Sequence, residues 1–178
     1  MSPPSEFEGQ YVTEAVESSV YDDDGELIGH VTLLDLDHST RDDARQVAQQ
    51  LDGASAVVRS SESSYHVWDL TIRPLPDVIE QAELIPRVDP EHVELSERRE
   101  CSVVRIDEKV DAGTGETIKP QPHVVETYRA TCDAPQSGPH REVLAELCSL
   151  DPWESAVGWV GSHTERRVYM ADIGGRSE

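Results

Sequence analysis

Two carboxylates, Asp35 and Asp37, stand one residue apart where the apolar run starting at Val31 ends. In a strand, side chains two residues apart share a face, so both acids project together while Leu34 and Leu36 point the other way. Adjacent carboxylate oxygens are the ligands that a hard divalent cation such as Mg²⁺ or Mn²⁺ takes. Ser64 and His66, inside SYHVW, repeat the same spacing with a hydroxyl and an imidazole. A third acid, Asp107, follows the apolar CSVVRI, with Arg105 and Lys109 two residues to either side. On a continuous strand these three would share one face and set a carboxylate between two cations.

The elements that must position these groups follow from local patterning. Val31–Asp37 reads as a buried strand, and Ser39 or Thr40 as the cap of a helix with Asp42 and Asp43 in its first turn. Ala44, Val47, Ala48 and Leu51 repeat at helical spacing, and Asp52-Gly53 ends that helix. SAVVR (55–59) and YHVWDLTI (65–72) predict two further strands around a polar loop. A helix is expected over Asp77–Leu84, capped by Asp77. HVEL and CSVVRI are expected as short strands around a turn at SERRE. Beyond them the pattern predicts a turn at 111–116, a strand over 124–129 and a helix starting at Pro139. A terminal hairpin of VGWVG and RRVYMADI is expected to turn at 162–165.

Strands that follow one another with only turns between them favour an α+β, two-layer sandwich. The expected sheet is mainly antiparallel and RRM-like, with helices packed on one face. Residues 1–28 carry eight acids up to His30 without a Lys or Arg and read as a partly flexible leader. Residues 29–178 read as one domain, with 111–178 as a C-terminal extension of its core.

The chain of 178 residues carries 36 Asp and Glu against 15 Lys and Arg, a net charge of -21. Its only lysines are Lys109 and Lys119. Such a balance suits a high-salt cytoplasm, where charge keeps the protein soluble and its self-repulsion is screened. It argues against loose, charge-driven binding to nucleic acid at low ionic strength, while leaving room for a local basic groove. Cys101, Cys132 and Cys148 are odd in number, widely spaced and without a C-x-x-C pattern. They read as thiols of a reducing cytoplasm rather than a disulfide framework or, with His140, a zinc set. No apolar run reaches membrane-spanning length, so a cytoplasmic location is expected. His38 is expected to face solvent, and Trp153 and Trp159 to belong to the C-terminal core or hairpin. The pairs Arg98-Arg99 and Arg166-Arg167 are expected in surface ion pairs.

The hydrophobic strand ending in Asp35-x-Asp37, followed after a helix and a strand by Ser64-x-His66, resembles the first two motifs of the archaeo-eukaryotic primase superfamily, which includes the primase-polymerases. Ile106-Asp107 matches that family's third motif, a hydrophobic residue followed by Asp. The resemblance spans roughly residues 28–110 and implies a nucleotidyltransferase of DNA replication or repair. It implies Asp35, Asp37 and Asp107 as ligands of Mg²⁺ or Mn²⁺, and Ser64 and His66 as contacts of the incoming nucleotide's phosphates. Arg105 and Lys109 would add positive charge there. Nucleoside triphosphates, a single-stranded DNA template and replication proteins are the implied partners. A catalytically degenerate nucleotide- or DNA-binding module is an alternative. The run Asp-Leu-Asp-His-Ser-Thr is also similar to the first motif of haloacid-dehalogenase-type phosphatases, which place it on a parallel α/β scaffold and need a later lysine.

The charge balance predicts that dialysis from multimolar salt into low salt unfolds the protein. A melting temperature independent of salt concentration would exclude the high-salt reading.

Overall fold

The computed structural model describes residues 10–148, 153 and 158–172. In chain order these form β1 (Gln10–Glu17), β2 (Ser19–Tyr21), β3 (Leu27–Leu36), α1 (Arg41–Gln49), β4 (Ser55–Ser61) and β5 (Ser64–Arg73). Next come α2 (Leu75–Glu83), α3 (Pro90–Arg99), β6 (Val103–Arg105), β7 (Lys109–Asp111), β8 (Thr117–Lys119) and β9 (His123–Tyr128). The order closes with β10 (Gln136–Ser137), α4 (Gly138–Glu146), β11 (Trp159–Val160) and β12 (Arg166–Asp172).

The strands make two antiparallel sheets, so the fold is α+β as the strand order predicts. In the larger sheet β9, β4, β5, β3 and β2 lie side by side, and β10 and β11 continue it beyond the end of β4. A short parallel pairing, β10 with β11, is the exception to the antiparallel pattern. In the smaller sheet β1 is central, with β12 along one edge and β6 and β7 in succession along the other; β8 pairs with β7.

Both faces of β3 are buried, which is why its sequence reads as a nearly continuous apolar run. Leu34 and Leu36 join Val57, Val67 and residues of α1, α2 and α3 in one core cluster. Val31 and Leu33 point the other way, onto Trp68, Leu70, the smaller sheet's Val16 and Val104, and Val143 and Leu144 of α4. Three helices therefore cover one face of the large sheet, as expected, while the smaller sheet and α4 cover the other. Fully burying side chains of this size stabilises the fold by roughly 1.5–3 kcal/mol each, so β3 is among its most strongly anchored strands.

Local chemistry explains where the helices begin. Thr40 caps α1 by accepting from the Asp43 N–H at 3.1 Å, and the Asp43 carboxylate accepts from the Thr40 N–H at 3.0 Å. A reciprocal box of this kind is worth about 1 kcal/mol. Asp89 caps α3, with Pro90 in the first turn, where its missing N–H costs nothing.

Several expectations are corrected. Residues 10–28, read as leader, carry β1, β2 and the start of β3, with β1 at the middle of the smaller sheet; residues 1–9 lie outside the described residues. HVEL and the first four residues of SERRE lie in α3 rather than in a strand and a turn, because Asp89-Pro90 starts a helix that buries His92, Val93 and Ser96 on one side. In α2, Pro74 rather than Asp77 occupies the cap position. The terminal strands do not pair as a hairpin: β11 lies beside β10 and β12 beside β1, so each completes a different sheet. GGRSE lies outside the described residues. Residues from 111 onward do extend the core, as expected: β9 adds to the large sheet and α4 residues join its core. No helix among the described residues is long and apolar enough to cross a membrane.

A buried histidine ties the two sheets together. His140 lies at the start of α4, with Nε2 donating to the Glu17 carbonyl at 2.8 Å and Nδ1 accepting from the Ser137 hydroxyl at 2.6 Å. The carbonyl can only accept, so Nε2 carries a proton, and at neutral pH, well above the lowered pKa of the ring, Nδ1 holds none. Burial pulls its pKa from 6.5 down to about 4. The unfolded chain therefore takes up this proton first. The stabilisation is complete above pH 6.5 and declines as pH falls toward 4, by on the order of 2–3 kcal/mol. His140→Gln is expected to be less stable at pH 7 and to lose less stability between pH 6.5 and 4 in denaturant melts. An unchanged slope across that window would remove His140 as a source of acid sensitivity.

Candidate functional site

β3 carries Asp35 on the face that Val31 and Leu33 share, so an apolar face ends in an acid. Beyond Leu36 the chain leaves the strand at Asp37 and reverses at His38, an exposed residue held at φ 51. Histidine tolerates this left-handed conformation better than most residues with a Cβ. The reversal leaves Asp37 beside Asp35 and delivers Thr40 to the start of α1.

β2 pairs with β3 only as far as His30, so the far edge of β3 has no strand partner from Leu33 to Asp35. α3 satisfies it instead. The Asp89 N–H donates to the Asp35 carbonyl at 2.9 Å, and His92 Nε2 donates to the Leu33 carbonyl at 2.7 Å. This docking sets the Asp89 side chain next to the acids of β3. Ligand oxygens of Asp35, Asp37 and Asp89 all lie within 4.8 Å of one another, the one such cluster among the described residues. Burial and the neighbouring carboxylates push Asp37 above the usual carboxylate range; Ser64, donating to Asp37 Oδ1 at 3.3 Å, opposes that shift. Asp35 is also raised, chiefly by burial. Carboxylates raised by one another's charge have the donor chemistry that a hard cation relieves.

His66 lies opposite Asp35 across β3 and β5, 6% exposed, with Nε2 3.7 Å from Asp35 Oδ1. That distance is too long for a hydrogen bond. Burial, then the positive charge of Arg105, lowers His66 to about 3, so the ring is neutral and its contact with Asp35 is no ion pair. Its buried Nδ1 has no hydrogen-bond partner.

Asp35, Asp37, Ser64 and His66 line one side of a cleft of about 580 Å³, and residues of the smaller sheet and α3 line the rest. Within it stand Arg98, Arg99, Arg105, Lys109 and Lys119, against the acids Asp35, Asp37 and Glu91. Acids outnumber bases 36 to 15 in the chain, so the excess of bases here reverses the balance of the whole molecule. Arg105 reaches back from β6 to donate to the carbonyls of Asp107, Pro120 and Ser60. Burial lowers it to about 10, still far above neutrality, so it remains charged.

Asp35, Asp37, Ser64, His66, Arg105 and Lys109 are thus brought together. Asp107 is not. Its carboxylate accepts from the Glu108 N–H at 2.8 Å, and the residue lines a separate cavity with Gln121, Glu146 and Arg166. The physical reason is a break between β6 and β7: residues 106–108 interrupt the strand, Ile106 enters the core, and the alternation assumed from Arg105 to Lys109 is lost. The missed acid, Asp89, carried two legible signals. Val88-Asp89 is itself a hydrophobic residue followed by Asp, and Asp89-Pro90 is a helix start. Lys119 was marked only by being one of two lysines.

The remaining candidates take structural roles. His140 is held by Ser137 and Glu17, and Cys101 and Cys132 are free thiols. Trp153 is buried, donating to the Tyr128 carbonyl at 3.1 Å. Arg166 and Arg167 pair with Glu146 and Glu17 at 2.6 and 2.8 Å. No protein-family model, curated protein or solved structure matches the chain.

Because Asn caps helices about as well as Asp, Asp89→Asn separates charge from capping. Asp35→Asn, Asp37→Asn and Asp89→Asn are each expected to weaken Mn²⁺ binding at least tenfold by calorimetry. Asp107→Asn should remain within twofold of the parent. A normal affinity in Asp89→Asn would remove it from the ligand set.

Proposed function

We propose that this protein is a metal-dependent nucleotidyltransferase of the primase-polymerase type, acting in the cytoplasm in DNA replication or repair on nucleoside triphosphates and a single-stranded DNA template. The observation that carries this reading is the polarity of the cleft: Asp35 and Asp37, two of the three clustered carboxylates, line it together with a concentration of the chain's few bases, while Asp89 closes the cluster from an adjoining cavity. That combination suits a substrate whose phosphates need both a cation and fixed positive charge.

Asp35, Asp37 and Asp89 are the residues that would hold Mg²⁺ or Mn²⁺, in place of the set containing Asp107. Such ions supply charge that activates an attacking hydroxyl and supports the leaving phosphates. Ser64 orients the Asp37 carboxylate through its hydrogen bond. His66, neutral and facing Asp35, offers a ring N–H to a phosphate oxygen without adding a charge that would compete with the cation. Arg105, fixed on three backbone carbonyls, presents a pre-oriented guanidinium. Asp89 supplies the third carboxylate whose absence would have favoured a degenerate binding module. The phosphatase reading lacks its parallel scaffold, since β3 pairs antiparallel with both neighbours.

Incubation with labelled nucleotides, a primed or unprimed single-stranded template and Mn²⁺ at multimolar salt is expected to give extended product. The double variant Asp35→Ala, Asp37→Ala should give none. Product persisting in the double variant would overturn the metal site. Template binding without product would favour a binding module, and Asp35-dependent phosphate release without product would favour a phosphatase.

A further inference from the structure

β12 lies at the edge of the smaller sheet: β1 pairs with one side of it, and among the described residues no strand pairs with the other. Its register with β1 runs without a shift over seven consecutive pairs, from Gln10 with Asp172 to Val16 with Arg166. The other long pairings, β3–β5, β4–β5 and β4–β9, each contain a bulge or irregularity. An exposed edge is ordinarily protected from pairing with another chain by lysine, proline, a bulge or short length. β12 has neither lysine nor proline, and its two arginines are occupied within the chain, Arg166 by Glu14 and Glu146 and Arg167 by Glu17. Val168 is 70% and Met170 54% exposed. Two residues apart on a strand, they share one face and form an apolar strip along the open edge.

We propose that β12 is a self-association edge, along which a second copy of this chain adds its own β12 in antiparallel register about a two-fold axis at Tyr169. The residues of the strand favour a second copy as the occupant. A two-fold interface requires a strip that complements itself, residue i meeting j while j meets i. In a register centred on Tyr169, Val168 stands opposite the second copy's Met170, and Met170 opposite the second copy's Val168. Four exposed apolar side chains then cover one another on one face of the joined sheet. Charge points the same way. The net charge of -21 sets most of the surface against a second copy, yet no acid lies between Arg166 and Ala171. Both arginines are neutralised by acids of their own chain, so like charges do not meet across the axis. The axis is normal to the sheet, so the same face of each copy lies on the same side. Tyr169 lines the cleft that holds Asp35 and Asp37, and the two clefts open side by side across the axis. The pairing uses none of the charged residues of the cleft and does not rest on the nucleotidyltransferase reading.

The test is sedimentation velocity on the full chain at multimolar salt, over a concentration series. The parent is expected to pass from monomer to dimer, and to do so more tightly as salt rises, because screening weakens the repulsion between two acidic molecules while apolar burial is retained. Two double variants, Val168→Lys with Met170→Lys and Val168→Glu with Met170→Glu, are each expected to weaken the dimer at least tenfold. Both should melt close to the parent monomer, since the positions are exposed in it. A mixture of the two should associate more tightly than either alone, because the register sets each lysine opposite a glutamate. A parent that stays monomeric at every concentration would overturn the proposal and leave the edge to a different occupant. So would a lysine variant that dimerises as tightly as the parent, which would place the interface elsewhere. A mixture no tighter than its components would exclude this register and the proposal with it.

Discussion

The open edge of β3 organises this molecule. A buried strand whose carbonyls lack partners costs about 1–3 kcal/mol per unsatisfied group, and β2 ends too early to pair with Leu33 and Asp35. α3 resolves this with one backbone N–H and one imidazole. The N–H belongs to Asp89, the residue that caps the helix. One docking event therefore satisfies the strand, begins the helix and adds a third carboxylate to the pair at the strand tip. The acid cluster is a consequence of how the sheet edge is closed.

The cost of that closure is electrostatic. Three carboxylates within 4.8 Å repel one another, and Asp35 and Asp37 are both raised as a result of burial and crowding. The smaller sheet places the opposite charge across the cleft. Arg105, Lys109 and Lys119 line the same cleft as Asp35 and Asp37. A chain of net charge -21 has separated its charges locally, with like charges held close on each wall.

Much of the scaffold was legible in the residues. Thr40 with Asp43 wrote the start of α1, the apolar runs wrote β3, β4 and β5, and Pro139 wrote the start of α4. Asp35 on β3 faces His66 on β5, and Asp37, one residue past the end of β3, lies beside Ser64, so the neighbourhood read from the motifs is present although the strand ends one residue earlier than the pattern suggests. HVEL is ambiguous in sequence, because four residues alternate as well for a strand as they fit one turn of a helix. The deciding information was the Asp-Pro before them. Adjacency in sequence suggests a hairpin for the terminal strands, while β12 finds its partner in β1 at the other end of the described chain.

By itself the sequence determined the properties that local periodicity controls. It set which strand carries acid, which face that acid shares, and the element types that flank it, because side-chain alternation and helix capping act over a few residues. Only the tertiary structure decided which third acid joins Asp35 and Asp37, and that Lys119 stands opposite Lys109. Asp107 and Asp89 both follow a hydrophobic residue, and nothing within either short stretch distinguishes them. The choice was made by a broken strand that sends Asp107 to another cavity and by an open sheet edge that holds Asp89 in place. Both are relations between segments distant in the chain, which local pattern does not encode.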